Sequence, residues 1–248
     1  MTQAAPGDRN RGDGTHPFTL DVPVEFHVPA DPDGSLVVAL HGMGQSAASF
    51  AKDALPCAPA RACVLIPQGP LPYEIRSGDG PPRQGNAWYV YTGESAGFLR
   101  SMERTEAWLL SAVDAAVGGE FGRADLDPRR VALVGFSQGG YLAGFVAVRH
   151  AERFRALVVA GGRIKDEALA GDAPRAAAAG LRVLDVHGED DPSVKPGPCR
   201  ASAERLASFG VSVDFRTYAC GHAVLRDERC RADVRAFLAA GAGDALNS

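Results

Sequence analysis

The sequence has 248 residues, enough for one large domain or two small ones with a sizeable hydrophobic core. Hydrophobic residues make up 46% of it and charged residues 23%, which is typical of a soluble globular protein. The formal net charge of −4 argues against a nucleic-acid-binding protein, because neutralising phosphates requires a basic face. The chain also lacks the run of roughly 20 apolar residues that a membrane-spanning helix needs.

The first 17 residues, MTQAAPGDRNRGDGTHP, lack the apolar core of a signal peptide and are predicted to form a disordered polar tail. We therefore expect a cytoplasmic protein, although a chain whose leader had been removed would look the same. The five cysteines are too few and too irregularly spaced for a disulfide scaffold, so free thiols are expected rather than pairs such as Cys57 with Cys63 or Cys220 with Cys230. No C-x-x-C or H-E-x-x-H motif suggests a metal site, and no cofactor is expected.

Short apolar runs alternate with segments of helical periodicity throughout residues 18–240, with no internal repeat and no linker that would divide them. Residues 18–28 alternate in polarity and are predicted to open the sheet as an antiparallel strand. Continuous apolar runs, typical of parallel strands covered on both faces, follow at 35–40, 64–66, 131–134, 156–159 and 183–186. Residues 211–216 alternate again, which predicts a strand near the sheet edge.

Helical spacing of apolar residues predicts helices at 96–117, 139–150, about 200–208 and about 227–239. Strands that alternate with helices indicate an α/β fold: a mainly parallel sheet with helices on both faces. We expect one domain over residues 18–240, no large lid domain, and a short tail at 241–248. Ligands bind beyond the carboxyl ends of the strands in such sheets, so the residues that follow each strand are the candidates for function.

Four predicted strands are followed by residues of the types that take part in catalysis. In chain order they are HGMGQ at 41–45, GFSQG at 135–139, HGEDDP at 187–192 and ACGH at 219–222. The chain therefore supplies a glycine-rich turn, a serine, acidic residues and a histidine, each at a strand end. This order of serine, acid and histidine is the one that a strand–turn–helix nucleophile motif predicts.

Ser137 stands at the apex of the second of these turns, with glycines two residues to either side. A strand that turns sharply into a helix forces its apex residue into a strained conformation, and the neighbouring chain passes close to the two glycines. The hydroxyl is thereby lifted clear of the sheet at a helix N-terminus. A serine attacks a carbonyl only when a base takes its proton and a carboxylate orients that base. We predict that Ser137 is a nucleophile rather than a helix-capping turn residue.

His222 is the predicted base, because the other histidines lie in the tail, in the opening strand, at a helix end or directly before glycines. His41 and His187 belong to the last group, and we expect them to hydrogen-bond loops near the site. Three adjacent carboxylates are candidates for the acid: Glu189, Asp190 and Asp191. Asp191 is favoured because the ring of Pro192 restricts it to extended conformations and so sets its direction. Asp185 lies within the strand and would need a bulge to reach a histidine beyond the strand end.

Together the motifs LHGMG, VGFSQGG, HGEDDP and GH, in this order over about residues 36–238, resemble the carboxylesterase, lysophospholipase and acyl-protein thioesterase family of small α/β-hydrolases. The resemblance implies an α/β-hydrolase fold with Ser137 as nucleophile, Asp191 as acid and His222 as base. It also implies an oxyanion hole formed by the backbone N–H groups of Met43 and Gln138.

Two features depart from the family pattern. The first glycine-rich loop often continues with aspartate in the family, whereas this chain has Gln45. Residues 71–92 form a long Pro/Gly/Tyr-rich segment, which we predict to cover the acyl site in place of a lid domain. Within it, Trp88 with Tyr89 and Tyr91 is predicted to line the acyl pocket, although Trp88 fits a core position nearly as well.

The predicted function is hydrolysis of carboxylic esters, with thioesters as an alternative substrate, through an acyl-enzyme on Ser137. The expected partner is a small-molecule ester or acyl substrate, with no nucleic acid and no integral membrane association. Two alternatives use the same fold: a scaffold or binding protein without turnover, and an acyltransferase or peptidase.

Overall fold

A computed structural model describes residues 20–76, 80–91, 93, 95–122 and 125–240 of the chain. The predicted tails at 1–17 and 241–248 lie outside the described residues, as do residues 77–79 and 92 of the predicted covering segment.

The described residues contain nine strands. They are β1 (Val24–His27), β2 (Leu36–Leu40), β3 (Cys63–Pro67), β4 (Leu71–Ile75), β5 (Arg83–Ala87), β6 (Val131–Phe136), β7 (Ala156–Ala160), β8 (Arg182–Gly188) and β9 (Ser212–Tyr218). Seven of them form the central sheet in the order β1-β3-β2-β6-β7-β8-β9, while β4 and β5 pair separately as an antiparallel hairpin. In the central sheet every neighbouring pair is parallel except β1 with β3. The predicted α/β-hydrolase fold with a mainly parallel sheet is confirmed.

Seven α-helices occur in the same part of the chain. They are α1 (Ala47–Ala54), α2 (Ser95–Val117), α3 (Gln138–Arg149), α4 (Asp166–Leu169), α5 (Ala173–Ala178), α6 (Pro196–Ser208) and α7 (Glu228–Ala239). Short 3-10 turns lie at Leu55–Cys57, Pro128–Arg130, Ala151–Arg153 and Val224–Arg226. The four predicted helices correspond to α2, α3, α6 and α7. Helix α6 begins earlier than predicted because Pro196, with its fixed φ, is suited to the first helical turn.

The sheet is buried on both faces, as its continuous apolar strands require. Along β2 the side chains alternate between two cores, with Leu36, Val38 and Leu40 in one and Val37 and Ala39 in the other. The first core includes apolar residues of α2, α3 and α5, and the second includes those of α1 and α7. The helices therefore cover both faces of the sheet, in agreement with the prediction.

The two sheet edges also agree with the sequence pattern. At one edge β1 pairs antiparallel with β3, and at the other β9 pairs only with β8. The alternating exposure along β9 follows from its edge position, with Ser212 and Asp214 facing solvent. Strand β1 is shorter than predicted because Pro23 precedes it and has no N–H to donate to the ladder.

Three helices and one hairpin were not predicted. Helices α1, α4 and α5 have eight residues or fewer, which is too short for their periodicity to stand out. The hairpin of β4 and β5 occupies most of the segment expected to cover the acyl site, and Pro72 within β4 and Gly85 within β5 weaken the strand pattern in the sequence. Among the described residues, no helix has both the length and the apolar character needed to cross a membrane.

Candidate active site

Four chain segments meet at the rim of the sheet where the parallel strands end. The loop at 41–45 follows β2, Ser137 follows β6, Asp191 follows β8 and His222 follows β9. Because β2, β6, β8 and β9 run in the same direction, their carboxyl ends lie along one edge of the fold.

Ser137 is the residue between β6 and α3. Its backbone has φ 52° and ψ −118°, and it is the only non-glycine residue with positive φ in the described part of the chain. A Cβ atom at Gly135 would lie 2.2 Å from the carbonyl oxygen of Gly139, and one at Gly139 would lie 2.3 Å from that of Leu40. Glycine is therefore required on both sides of Ser137, and the sharp turn stores backbone strain at the serine.

His222 connects Ser137 to Asp191. Its Nε2 lies 2.9 Å from the Ser137 hydroxyl oxygen, and its Nδ1 lies 2.7 Å from Oδ2 of Asp191. The acceptor carboxylate requires a proton on Nδ1, which leaves Nε2 free to accept the serine proton. The imidazole also packs at 5.0 Å on the ring of Phe136, which restricts its orientation.

The carboxylate that contacts this histidine is that of Asp191, whereas Glu189 and Asp190 are exposed on the same loop. Asp191 is buried, with 2% of its surface exposed, and its Oδ1 accepts hydrogen bonds from the backbone N–H groups of Ser193 at 2.8 Å and Val194 at 2.9 Å. Burial raises the pKa of this carboxyl, but the hydrogen bonds from His222 and from the two amides outweigh burial and bring the pKa below its usual value. Asp191 is therefore ionised at neutral pH.

The backbone amides of Met43 and Gln138 are the predicted oxyanion donors. Neither amide has an intramolecular acceptor among the described residues. The loop that carries Met43 is held on both sides, since the N–H of Gly44 donates to the carbonyl of Asn86 at 2.9 Å and the N–H of Gly42 donates to Oε1 of Gln45 at 2.8 Å. Gln45, which departs from the family pattern, therefore braces the loop through its side chain.

The side chain of Gln138 has a structural role that sequence reasoning missed. Its Oε1 accepts from the N–H of Trp88 at 2.9 Å, and its Nε2 donates to the carbonyl of Tyr89 at 3.0 Å. The first residue of α3 is thereby tied to the segment that follows β5. No local pattern could indicate this contact, because the partners are about fifty residues apart.

A cavity of about 540 Å³ opens at Ser137. Its walls are formed by one methionine and by aromatic, polar and cationic side chains: Met43, Tyr89, Tyr91, Phe98, Ser137, Gln138, Tyr141, Arg163, Lys165 and Ser193. Met43 and Tyr91 are largely exposed at its mouth, whereas Tyr89 and Phe98 are buried in its wall. A volume of this size is in the range of pockets that hold small-molecule ligands.

Comparison with known proteins assigns the chain to a family. A family model described as Phospholipase/Carboxylesterase matches residues 24–240, which is most of the chain. The chain belongs to the phospholipase/carboxylesterase family. This agrees with the resemblance seen in the sequence motifs.

Solved structures with the same fold include two carboxylesterases and an esterase. The carboxylesterase from Mesorhizobium loti has a TM-score of 0.67 and 20% identity, covering 88% of this chain and 95% of its own. The esterase PE8 has a TM-score of 0.63 and 22% identity, with coverage of 88% and 98%. The Bacillus cereus carboxylesterase has a TM-score of 0.63 and 17% identity, with coverage of 86% and 92%. These likenesses are evidence for the α/β-hydrolase fold.

Trp88 does not line the cavity of this phospholipase/carboxylesterase family member, in contrast to the prediction. It is fully buried, and its indole N–H donates to the carbonyl oxygen of His41 at 2.7 Å. Its backbone carbonyl also accepts a hydrogen bond from the hydroxyl of Thr105. Trp88 therefore supports the loop after β2 from within the core, and Tyr89 and Tyr91 are the aromatic residues of this segment at the cavity.

The hairpin of β4 and β5 packs against the loop after β2. A Cβ atom at Gly44 would lie 2.9 Å from the hydroxyl of Tyr73 and 3.3 Å from Cδ1 of Ile75, both on β4. The hairpin therefore braces the loop that carries the predicted oxyanion donor Met43. Movement of the segment as a cover remains a prediction.

The prediction for His187 is wrong, because its partner is not a loop. Its Nε2 lies 2.7 Å from Oδ1 of Asp185, and both side chains are fully buried in β8. Asp185 thus contacts a histidine of its own strand, whereas Asp191 contacts His222.

The five cysteines are all free, as predicted. Within the described residues, no group of three or more His, Cys, Asp or Glu side chains could hold a metal ion.

His41 does hydrogen-bond the surrounding loops, as predicted. Its Nδ1 lies 2.7 Å from the carbonyl oxygen of Gly42, and its Nε2 accepts from the N–H of Gly69 at 2.8 Å. Burial lowers the pKa of His41 to about 4, with a small opposing effect of the hydrogen bond to Gly42. The imidazole is therefore neutral at pH 7.

The lowered pKa of His41 predicts a pH-dependent stability. Between pH 6.5 and about 4 the unfolded chain binds a proton at residue 41 that the folded chain does not, so the free energy of unfolding falls as the pH falls. The limiting slope is about 1.4 kcal/mol per pH unit. We therefore expect the free energy of unfolding, measured with urea, to fall between pH 7 and pH 4.5 by about 2 kcal/mol less in His41→Gln than in the unaltered protein. His27→Gln, at a half-exposed position, is the control, and equal slopes for His41→Gln and the unaltered protein would contradict the assignment.

Proposed function

We propose that this protein is a serine hydrolase of carboxylic esters or thioesters that works through an acyl-enzyme on Ser137. The observation that carries the proposal is the continuous hydrogen-bonded series from Ser137 through His222 to the ionised Asp191, placed at the floor of an open cavity. Membership of the phospholipase/carboxylesterase family supports an ester as substrate.

In the acylation step Nε2 of His222 takes the hydroxyl proton of Ser137 while the serine oxygen bonds to the carbonyl carbon of the substrate. The carbonyl electron pair moves to its oxygen, and the N–H groups of Met43 and Gln138 stabilise the resulting oxyanion. Asp191 stabilises the imidazolium through Nδ1. Collapse of the intermediate expels the alcohol or thiol, which takes the proton from His222.

The second step repeats this chemistry with water. His222 takes a proton from water, the resulting hydroxide attacks the acyl carbon, and the acid leaves as Ser137 regains its proton. The backbone strain at Ser137 supports this assignment, because strained non-glycine residues persist where the surrounding structure holds them for function.

Location in the cytoplasm remains a prediction from the sequence.

The function is tested with an active-site probe and a substrate panel. A fluorophosphonate should label Ser137, identified by peptide mass spectrometry, and should abolish turnover in proportion to labelling. p-Nitrophenyl esters of two to twelve acyl carbons should be hydrolysed, with short and medium chains preferred because the cavity holds only about 540 Å³. Matched acyl thioesters, followed by thiol release, separate the two substrate classes. Absence of both labelling and turnover over the whole panel would contradict the proposal.

A further inference from the structure

The cavity beside Ser137 carries positive charge at one end. Among the ten described residues that line it, Arg163 and Lys165 are the only charged ones, and none is a carboxylate. Both belong to the loop between β7 and α4, which follows the strand next to β6. Ile164, the residue between them, is fully buried and packs near Gly144 of α3. The loop is therefore anchored in the core by Ile164 while its two cationic neighbours face the cavity.

In the ion-pair cluster around this loop, cationic side chains outnumber carboxylates by one. Asp166 interacts with Arg163 at 3.3 Å and with Arg205 at 2.6 Å, and Glu167 interacts with Arg163 at 2.9 Å and with Lys165. Three cations thus share two carboxylates, in a protein whose net charge is −4. This local excess is unexpected in an acidic chain and lies at the cavity, where a substrate group would meet it.

Hydrogen-bond donors remain available at this end of the cavity. Two nitrogen atoms of Arg163 already donate hydrogen bonds. Its Nε donates to the hydroxyl of Ser202 at 2.8 Å, and its Nη2 donates to the carboxylates of Asp166 and Glu167. Among the described residues, its Nη1 has no acceptor, and the hydroxyl of Tyr141 has no partner. Tyr141 lies one helical turn after Ser137, so it stands beside the nucleophile on the same helix.

Aromatic side chains lie beside Lys165 at this end of the cavity. The ammonium of Lys165 lies 5.8 Å from the ring centre of Phe98, which contacts Tyr89 and Tyr91 edge-to-face at 5.0 and 5.3 Å. Lys165 and Arg163 are themselves about one-quarter exposed or less. Electrostatic attraction is stronger in such partly desolvated surroundings than at an open surface.

We propose that this cavity selects esters that carry a carboxylate remote from the scissile carbonyl, bound by Arg163, Lys165 and the hydroxyl of Tyr141. A single excess positive charge matches the single charge of a carboxylate, whereas a phosphate monoester carries about −1.5 to −2 at neutral pH. The planar guanidinium of Arg163 also suits carboxylate geometry. This inference rests on the proposed function, because it assigns the substrate class of the same site.

Two pairs of substrates test the proposal, each differing only in one charge. Mono-p-nitrophenyl adipate and its methyl ester place the charge on the acyl side, and 4-acetoxybenzoate and its methyl ester place it on the alcohol side. In at least one pair, kcat/KM should be about tenfold higher for the carboxylate than for the neutral ester, as expected for a charge-assisted hydrogen bond. The Arg163→Gln/Lys165→Gln variant should bring this ratio close to one.

The matched control is Arg61→Gln/Arg129→Gln, which removes the same charge from two exposed residues at the amino ends of β3 and β6, on the opposite rim. This variant should keep the ratio of the unaltered protein. If the double variant at the cavity does not fold, Lys165→Gln is tested alone. This variant should fold, because the ion-pair partner that it leaves, Glu167, is half-exposed to solvent. Equal rates within both pairs, or a ratio unchanged by the cavity variants, would overturn the proposal. Failure to hydrolyse any of the four esters, charged or neutral, together with absence of fluorophosphonate labelling, would instead overturn the proposed function.

Discussion

Ser137→Ala is expected to lower kcat for p-nitrophenyl butyrate by at least about four orders of magnitude. The hydroxyl oxygen of Ser137 is the atom that would bond to the acyl carbon, and it lies 2.9 Å from the base that would take its proton. Without it, water must attack directly, aided only by the oxyanion donors and by substrate binding. The measurement is initial-rate kinetics together with fluorophosphonate labelling, which should also disappear.

Loss of the fold must be distinguished from loss of the nucleophile. Ser208→Ala removes a hydroxyl from the exposed end of α6 and should retain full activity. Ser137→Gly is a second inactive variant, and it should be about 1 kcal/mol more stable than Ser137→Ala, because glycine tolerates φ 52° without strain. Activity in a folded Ser137→Ala protein close to that of the unaltered protein would show that another residue is the nucleophile.

Asp191→Asn is expected to lower kcat by roughly three to four orders of magnitude. The carboxylate oxygen 2.7 Å from Nδ1 of His222 keeps the ring proton on that nitrogen. An amide at this position can donate to Nδ1 instead, which moves the ring proton to Nε2 and prevents it from accepting the proton of Ser137. The lost ionic partner would also leave the imidazolium of the transition state without a counter-charge.

The two neighbouring carboxylates supply matched controls for this prediction. Glu189→Gln and Asp190→Asn make the same chemical change on the same loop at exposed positions, and each should keep activity within about twofold. A loss in either control as large as that in Asp191→Asn would mean that the acid had been assigned wrongly. Circular dichroism of all three variants excludes unfolding as the cause.

The strain at Ser137 has a structural explanation as well as a functional one. Its N–H donates to the carbonyl of Ala160 on β7, and its carbonyl accepts from the N–H groups of Gly140 and Tyr141 at the start of α3. These bonds hold the residue in a backbone conformation that costs of order 1–3 kcal/mol. The turn is thereby kept rigid, and the hydroxyl stays directed at His222 in the absence of substrate.

Features that depend on local patterns of residues could be predicted from the sequence. Apolar runs with period two or no period predicted the central strands, and helical spacing predicted the long helices α2, α3, α6 and α7. The glycines around Ser137 indicated a sharp turn because only glycine fits where two backbone segments nearly touch. The order of the strand-end motifs indicated the fold, since parallel strands bring their carboxyl ends to one rim.

Which side chains meet depends instead on how distant segments of the chain pack together. Asp191 rather than Glu189 or Asp190 reaches His222, because two backbone amides bind one oxygen of its buried carboxylate and the other faces the ring. Trp88 lies in the core instead of the cavity, and the loop with Arg163 and Lys165 forms the cationic end of the cavity. These contacts join residues that are far apart in the chain, and their free energy depends on packing and desolvation, which no local pattern of residues encodes.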